Sequence, residues 1–235
     1  MPPDRGEPPI VVFTPMEVER AAVAAAIEAA DLASHVDLVR TGIGRDRVLA
    51  ALNTVLVRRR SPPALVILAG CAGGLTDLDL DARPAIAMIV DEQGREWTPA
   101  VIEPGEEPVA VLGVDRLIDE PRDKRRLHEL TGASLVDMES HAFAARCGEL
   151  DWPWAVVRGV SDGPDHRVPP IILSWINPDG TSRTGKALRD LLVRPWLWAE
   201  VSQLVQHTQH ALALAGEGVV TLTKQALERV VHAPR

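Results

Sequence analysis

The 235-residue chain has 25 basic and 33 acidic residues, a net charge of −8, with 46% hydrophobic and 25% charged positions. A soluble composition without a basic tail argues against a nucleic-acid binder. No apolar run reaches the ~18 residues of a membrane span, and Met1 to Pro9 lacks the apolar stretch of a secretory signal.

Ile10 to Phe13 is a short apolar, β-branched run before Thr14-Pro15, which predicts a buried strand. Glu17 to Ala30 is rich in helix formers and predicts a helix. Val36 to Val39 is the second strand. After the Thr41-Gly42-Ile43-Gly44 turn, Arg45 to Arg59 is a helix with Val48, Leu49, Leu52, Val55 and Leu56 on one face. Ala64 to Ala69 is a third strand, ending in a Gly70-Cys71-Ala72-Gly73-Gly74 turn. Ala85 to Val90 is the fourth strand, Asp91 to Pro108 a polar loop and Val109 to Leu112 a short fifth strand. Arg122 to Leu130 reads as helix, Leu135-Val136 as strand, Ser140 to Leu150 as helix and Trp154 to Val160 as another buried strand. Beyond Asp165 come a Pro-containing loop, a polar turn over 177–184, a helix over Lys186 to Val193, a second from Trp196 to Ala215 and a weaker one from Val219 to Val231.

Strands apolar on both faces, alternating with helices, imply an α/β fold with a mostly parallel sheet covered on both sides. The simplest division is a short flexible terminus at 1–9, one α/β domain over 10–165, and a helical extension over 166–235 packed on it. With eight aromatics, six of them Trp and none Tyr, the core must be built from Val, Leu, Ile and Ala.

Four segments at predicted strand ends could carry chemistry, since ligands of open α/β sheets bind beyond the carboxyl ends of strands. Met16-Glu17-Val18-Glu19 opens the first helix, where the helix dipole alone favours carboxylates. The Gly70-Cys71-Ala72-Gly73-Gly74 cluster allows close approach to a ligand, but it lacks the Lys-Ser/Thr ending of a P-loop. Gly42-x-Gly44 lacks the third glycine of a dinucleotide fingerprint. Asp137-Met138-Glu139-Ser140 puts two carboxylates at a strand-to-helix junction, which capping and solvated charge would also explain. Ser161-Asp162 follows an apolar strand; Asp162 is a turn former or, at the mouth of a dry site, a carboxyl that burial can keep protonated and so make a general acid. Cys71 and Cys147 match no metal-ligand spacing and make no disulfide scaffold, so a reducing cytoplasm is expected.

In order along Ile10 to Asp165, Met16-Glu17-Val18-Glu19, Gly42-Ile43-Gly44, Gly70-Cys71-Ala72-Gly73-Gly74-Leu75, Val136-Asp137-Met138-Glu139 and Val157-Arg158-Gly159-Val160-Ser161-Asp162 resemble the nucleoside phosphorylase superfamily. Within it they look most like the branch that hydrolyses methylthioadenosine and S-adenosylhomocysteine. Asp115-Arg116-Leu117, Lys124-Arg125-Arg126-Leu127-His128, Thr131-Gly132-Ala133, Asp137-Met138-Glu139-Ser140-His141 and Pro169-Pro170 are similar to the hopanoid-associated group, which is thought to release adenine from adenosylhopane.

The resemblance implies a three-layer α/β fold around a twisted mixed sheet, assembled as a homo-oligomer such as a dimer. It implies cleavage of the N-glycosidic bond of a 5′-substituted adenosine without cofactor or metal. Asp162 would protonate the leaving adenine and Ser161 would orient it. Glu139 would hold the ribose hydroxyls with Met138 against the sugar, Glu19 would direct the attacking water, and Gly70, Cys71, Ala72 and Gly73 would floor the pocket. The alternatives are a phosphate-dependent phosphorylase, which Arg45 would serve, and a nucleoside-binding module without turnover. A carboxylate at Glu19 repels phosphate and favours water. The soluble nucleosidases carry an aromatic pair shortly before the Met-Glu motif, whereas Glu129 to Ser134 has none here, which leaves Trp97 or Trp154 to recognise the base, or a looser recognition. Trp175, Trp196 and Trp198 are expected to pack on the core or on a second subunit, in preference to a membrane surface. His207 and His210 are expected at the surface, and His141 and His166 outside the chemistry.

Overall fold

The computed structural model describes residues 9–81, 83–104 and 108–232, so all of the expected flexible terminus except Pro9 lies outside the described residues. Eight strands form one sheet: β1 (Ile10–Thr14), β2 (Val36–Arg40), β3 (Leu65–Gly74), β4 (Ala85–Asp91), β5 (Glu96–Trp97), β6 (Pro108–Gly113), β7 (Leu135–Asp137) and β8 (Trp154–Asp162). The spatial order is β2-β1-β3-β7-β6-β4-β5, and β8 also pairs with β3. β1–β2, β1–β3, β3–β8, β4–β6 and β6–β7 are parallel; β3–β7 and β4–β5 are antiparallel. The sheet is therefore mixed and predominantly parallel.

Side chains alternate across the sheet and build two layers. Val11, Phe13, Val66 and Leu68 face helices α2 (Arg45–Arg58) and α4 (Ser140–Glu149), meeting Val48, Leu52 and Phe143. Ile10, Val12, Leu65 and Ile67 face α1 (Glu17–Ala29) and α6 (Trp198–His232), meeting Val23, Ile27, Val219 and Leu222. The scarce aromatics cluster in the first layer, where Phe143 lies edge-on to Phe13 and Trp154. A smaller core under α3 (Pro121–Thr131) joins Leu127 to Leu75, Leu112 and Val136.

Three sequence expectations change. The Gly70–Gly74 run is not a turn but the continuation of β3, paired to β8 up to Gly73 and to β7 at Gly73 and Gly74. Ser161 and Asp162 likewise end β8 instead of starting a turn. The two expected C-terminal helices are one, α6, which runs through Gly216 and Gly218. These glycines do not break it because they give close packing: a Cβ on Gly216 would stand 2.9 Å from that of Ala26 in α1, and one on Gly218 2.7 Å from Val157.

Candidate functional site

A cavity of about 200 Å³ opens where β1, β3, β7 and β8 end. Glu19, Cys71, Ala72, Gly73, Met138, Glu139 and Ser161 all line it, although they are spread over 143 positions of the chain. Its remaining wall is largely apolar, with Ile172, Leu173 and Ile176 from the turn after β8 and Leu204 from α6.

The two glutamates that open α1 part company. Glu17 points outward, where Arg20 and then Arg40 hold its carboxyl down to about 2. Glu19 turns inward and is buried. Its carboxylate accepts from Met16 N at 2.7 Å and Cys71 N at 3.0 Å. Burial nevertheless pushes it up to about 7, against the pull of Arg158 and these two donors. Room for it comes from Gly70, where a Cβ would overlap Glu19 Oε1 and lie 2.8 Å from Arg158 Nη1. Gly70 thus sits behind the carboxylate and does not line the cavity. The Cys71 thiol is raised well above its usual range by burial and by Glu19, so it is no nucleophile.

Glu139 is held from the opposite side. Gly44, with φ +90° at the head of α2, directs its N–H to Glu139 Oε1 at 2.6 Å. Burial, then Asp137, pushes Glu139 up to about 8, with Arg158 and the Gly44 donor opposing. Asp137 accepts from Ser140 N at 2.9 Å and from the Ser140 hydroxyl, which ties the start of α4 to the end of β7.

Between these carboxylates lies Arg158, a charged residue in an otherwise apolar strand and 1% exposed. Its Nε donates to Asp137 Oδ2 at 2.8 Å, its Nη2 lies 2.7 Å from the same oxygen as an ion pair and donates to Ser140 Oγ at 3.4 Å, and its buried Nη1 has no hydrogen-bond partner. Sequence reading passed over this residue, although a lone arginine inside a buried strand is itself a signal.

Asp162, next to Ser161 in β8, does not line the main cavity; it lines a smaller neighbouring one with His166, Arg167 and His207, and Leu204 is common to both. Ser161 Oγ donates to Asp162 Oδ1 at 2.6 Å. The other oxygen, Oδ2, accepts from Lys124 Nζ of α3, a lysine with 0% exposure. The same ammonium donates to Gly163 O at 2.9 Å and His166 O at 3.0 Å. Burial therefore does not act on Asp162 alone; it acts on an enclosed ion pair. Lys124 stood in the sequence as one of three consecutive basic residues, and only the fold shows which of them turns inward. His166 accepts from Gly163 N at 2.9 Å through Nδ1, and its ring lies 5.9 Å from that of His207.

Other expected residues stand elsewhere. Trp154 is buried against Phe143, and Trp97 packs on the same core beneath Arg95; neither lines the cavity, so neither can stack on a base there. Arg45 is half exposed, 3.8 Å from Asp115, and faces a separate cavity beside α4. His141 is buried with Nε2 3.2 Å from Asp115. Among the described residues no group of three His, Cys, Asp or Glu side chains is placed to hold a metal ion.

The profile of the phosphorylase superfamily matches residues 105–191. The chain also superposes on solved nucleosidases: the 5′-methylthioadenosine/S-adenosylhomocysteine nucleosidase of Helicobacter pylori matches at 13% identity and TM-score 0.65, covering 94% of this chain and 97% of that one. The chain has the fold of the phosphorylase superfamily. Futalosine hydrolase of Helicobacter pylori gives 14% identity, TM-score 0.64, and 92% and 97% coverage. The methylthioadenosine/S-adenosylhomocysteine nucleosidase of Neisseria meningitidis, solved with methylthio-immucillin-A, gives 16% identity, TM-score 0.64, and 92% and 98% coverage. No curated protein matches the chain by sequence. On this phosphorylase-superfamily fold, the buried carboxylates occupy the cavity just described.

Proton binding at the site sets a pH trend for stability. An unfolded chain releases the Glu19 and Glu139 protons near their ordinary 4.5, whereas the folded chain keeps them to about 7 and 8. Between those values the native state binds more protons, so stability falls as pH rises. Glu103, raised by burial to about 7, acts in the same direction. Denaturant midpoints should decrease steadily from pH 5 to pH 8; a midpoint that rises across that window contradicts these assignments.

Proposed function

We propose that this protein is a nucleosidase, cleaving the N-glycosidic bond of a 5′-substituted adenosine and releasing adenine with water as the nucleophile. The observation that carries this reading is the pair of buried carboxylates Glu19 and Glu139 lining one cavity, with buried Arg158 behind them and the Asp162–Lys124 pair beside the adjoining smaller cavity.

Bond cleavage requires that the leaving base gain a proton, that positive charge on the ribosyl carbon be tolerated, and that a nucleophile arrive. A proton passes from Lys124 Nζ to the Asp162 carboxylate and on to N7 of the base, so the net transfer is from ammonium to base and leaves a neutral Lys124 amine beside the Asp162 carboxylate. After release the pair is restored by a proton from solvent. Ser161 fixes the rotation of the carboxyl throughout. Glu139 accepts hydrogen bonds from the ribose hydroxyls, and its charge favours the developing cation. Glu19, once ionised, takes a proton from the attacking water. Turnover, which needs Glu19 and Glu139 both ionised, should therefore rise between about pH 7 and about pH 8 while stability falls. Glu19→Gln should remove the Glu19 contribution to that limb of the profile and leave ground-state binding intact; an unchanged limb contradicts the role.

Water is favoured over phosphate by the charges that face the cavity. Glu19, Asp137 and Glu139 line it, Arg45 does not, and Arg116 at its rim is engaged by Glu92 at 2.7 Å. With Asp137 already paired to Arg158, Glu19 and Glu139 add negative charge to the cavity wherever they ionise, and among the described residues no unengaged cation lines it to receive a phosphate. The apolar wall of Ile172, Leu173, Ile176 and Leu204 suits an apolar 5′ substituent, as in methylthioadenosine or adenosylhopane, better than the charged tail of S-adenosylhomocysteine.

Lys124→Met separates a proton-handling role from a merely structural one. The substitution removes the ammonium that touches the buried Asp162 carboxylate and supplies its proton. The variant should keep adenine release at low pH and lose it as pH rises, moving the profile by at least about one unit. A uniform loss at every pH, with the profile unmoved, assigns Lys124 to the fold alone.

A further inference from the structure

We propose that α5 (Thr184–Val193) and the following turn form a docking surface for an anionic lipid bilayer. Not one of the ten residues of α5 is buried. Its inner face is held by polar contacts only: Lys186 Nζ donates to Ser174 Oγ at 2.6 Å, and Asp190 accepts from Trp175 Nε1 and Lys186, each at 2.9 Å. Its outer face is apolar. At 100° per residue, Leu188 and Leu192 share the side of the helix opposite Lys186 and Asp190, while Val193 falls on the side of Lys186 at the helix end. Leu192 and Val193 are 70% exposed, and Trp196 of the next turn is 69% exposed. Trp198 closes the ridge, donating from Nε1 to Leu191 O at 3.2 Å with its ring half exposed. Of the three tryptophans expected to pack on the core or on a second subunit, only Trp175 is buried within this chain.

Charge decides between possible occupants. Arg183, Lys186, Arg189 and Arg194 stand against a single acid, Asp190, between residues 183 and 198, on a chain whose net charge is −8. Asp190 is already engaged by Lys186 and Trp175. A second copy meeting this ridge about a two-fold axis would present the same cations to one another. An anionic lipid surface complements them, and leucines with terminal tryptophans are the side chains that enter the headgroup boundary. The ridge also flanks the cavity: Ile172 and Leu173, which line it, belong to the turn (Pro170–Trp175) that α5 packs on, and Leu204 follows in α6. Docking by this face sets the cavity mouth at the bilayer surface. No described helix is long and apolar enough to cross a membrane, so the contact is peripheral.

The test is co-sedimentation of the full chain with phosphatidylcholine vesicles, with and without phosphatidylglycerol, at low and high salt. Binding to the anionic vesicles should exceed binding to neutral ones by about tenfold or more and weaken with salt. Leu188→Glu with Trp196→Glu, and separately Arg189→Glu with Arg194→Glu, should each abolish it while circular dichroism stays that of the parent. Because the readout is sedimentation, its result is independent of the proposed nucleosidase activity. Absence of binding to anionic vesicles, or binding unaffected by both pairs of substitutions, overturns the proposal. So does a dimer in size-exclusion chromatography that the Leu188→Glu, Trp196→Glu protein no longer forms, which would assign the ridge to a second copy.

Discussion

Asp162→Asn should lower kcat for adenine release by at least about 10²-fold, within the 10²–10⁴-fold range of a positioned general acid. The amide keeps the shape of the side chain, and its oxygen still accepts from Lys124 Nζ, which also retains its bonds to Gly163 and His166. The proton path to the base is lost while the ground-state cavity is not. KM should therefore change little, and the thermal midpoint should stay near that of the parent. Near-normal turnover, or a chain that fails to fold, would remove Asp162 from the chemistry.

Arg158→Met should be the most damaging single substitution to the fold of the site. The guanidinium is enclosed and meets Asp137 through both Nε and Nη2. It also draws down Glu19 and Glu139 by charge. Its loss leaves a buried carboxylate without its partner, for which a cost of about 3–5 kcal/mol is typical. Glu19 and Glu139 should then rise further above about 7 and 8, so the variant should be most stable in acid and inactive near neutrality. Denaturant unfolding at pH 5.5 and pH 8 measures both effects. A loss of stability that is the same at the two pH values contradicts the coupling of Arg158 to the carboxylates.

Much of the sheet was legible because its signal is local. Ile10 to Phe13 and Trp154 to Val160 are apolar runs bounded by polar or turn residues, and both became buried strands at nearly those limits. The Gly70–Gly74 strand was not legible, because glycines mark turns in a sequence, and only pairing on both edges keeps them extended. Pairing also explains why they are glycines, since Glu19 and Asp162 approach Gly70 and Gly73 where a side chain would stand. At the site, Glu19, Met138, Glu139, Ser161 and Asp162 could be named from motifs, but their electrostatic partners could not. Lys124 lies in a basic run that reads as a solvated helix face, and its burial depends on how α3 meets the loop after β8. Arg158 could have been found, since a strand that buries every neighbour must bury its arginine too. The exposed face of α5 was hidden for the opposite reason: amphipathic spacing shows that a helix has an apolar side, not that the rest of the chain leaves that side uncovered.

The most direct measurement is chromatographic detection of free adenine from a panel of 5′-substituted adenosines incubated with the purified protein in phosphate-free buffer. The panel should include methylthioadenosine, S-adenosylhomocysteine and adenosines bearing longer apolar 5′ groups. Adenine should appear together with a reducing sugar, fastest from substrates with an apolar 5′ group, and addition of phosphate should not be required. A sugar 1-phosphate formed only when phosphate is added would make the protein a phosphorylase. No base release from any member of the panel, at concentrations shown to saturate binding, would contradict catalysis and leave a nucleoside-binding protein.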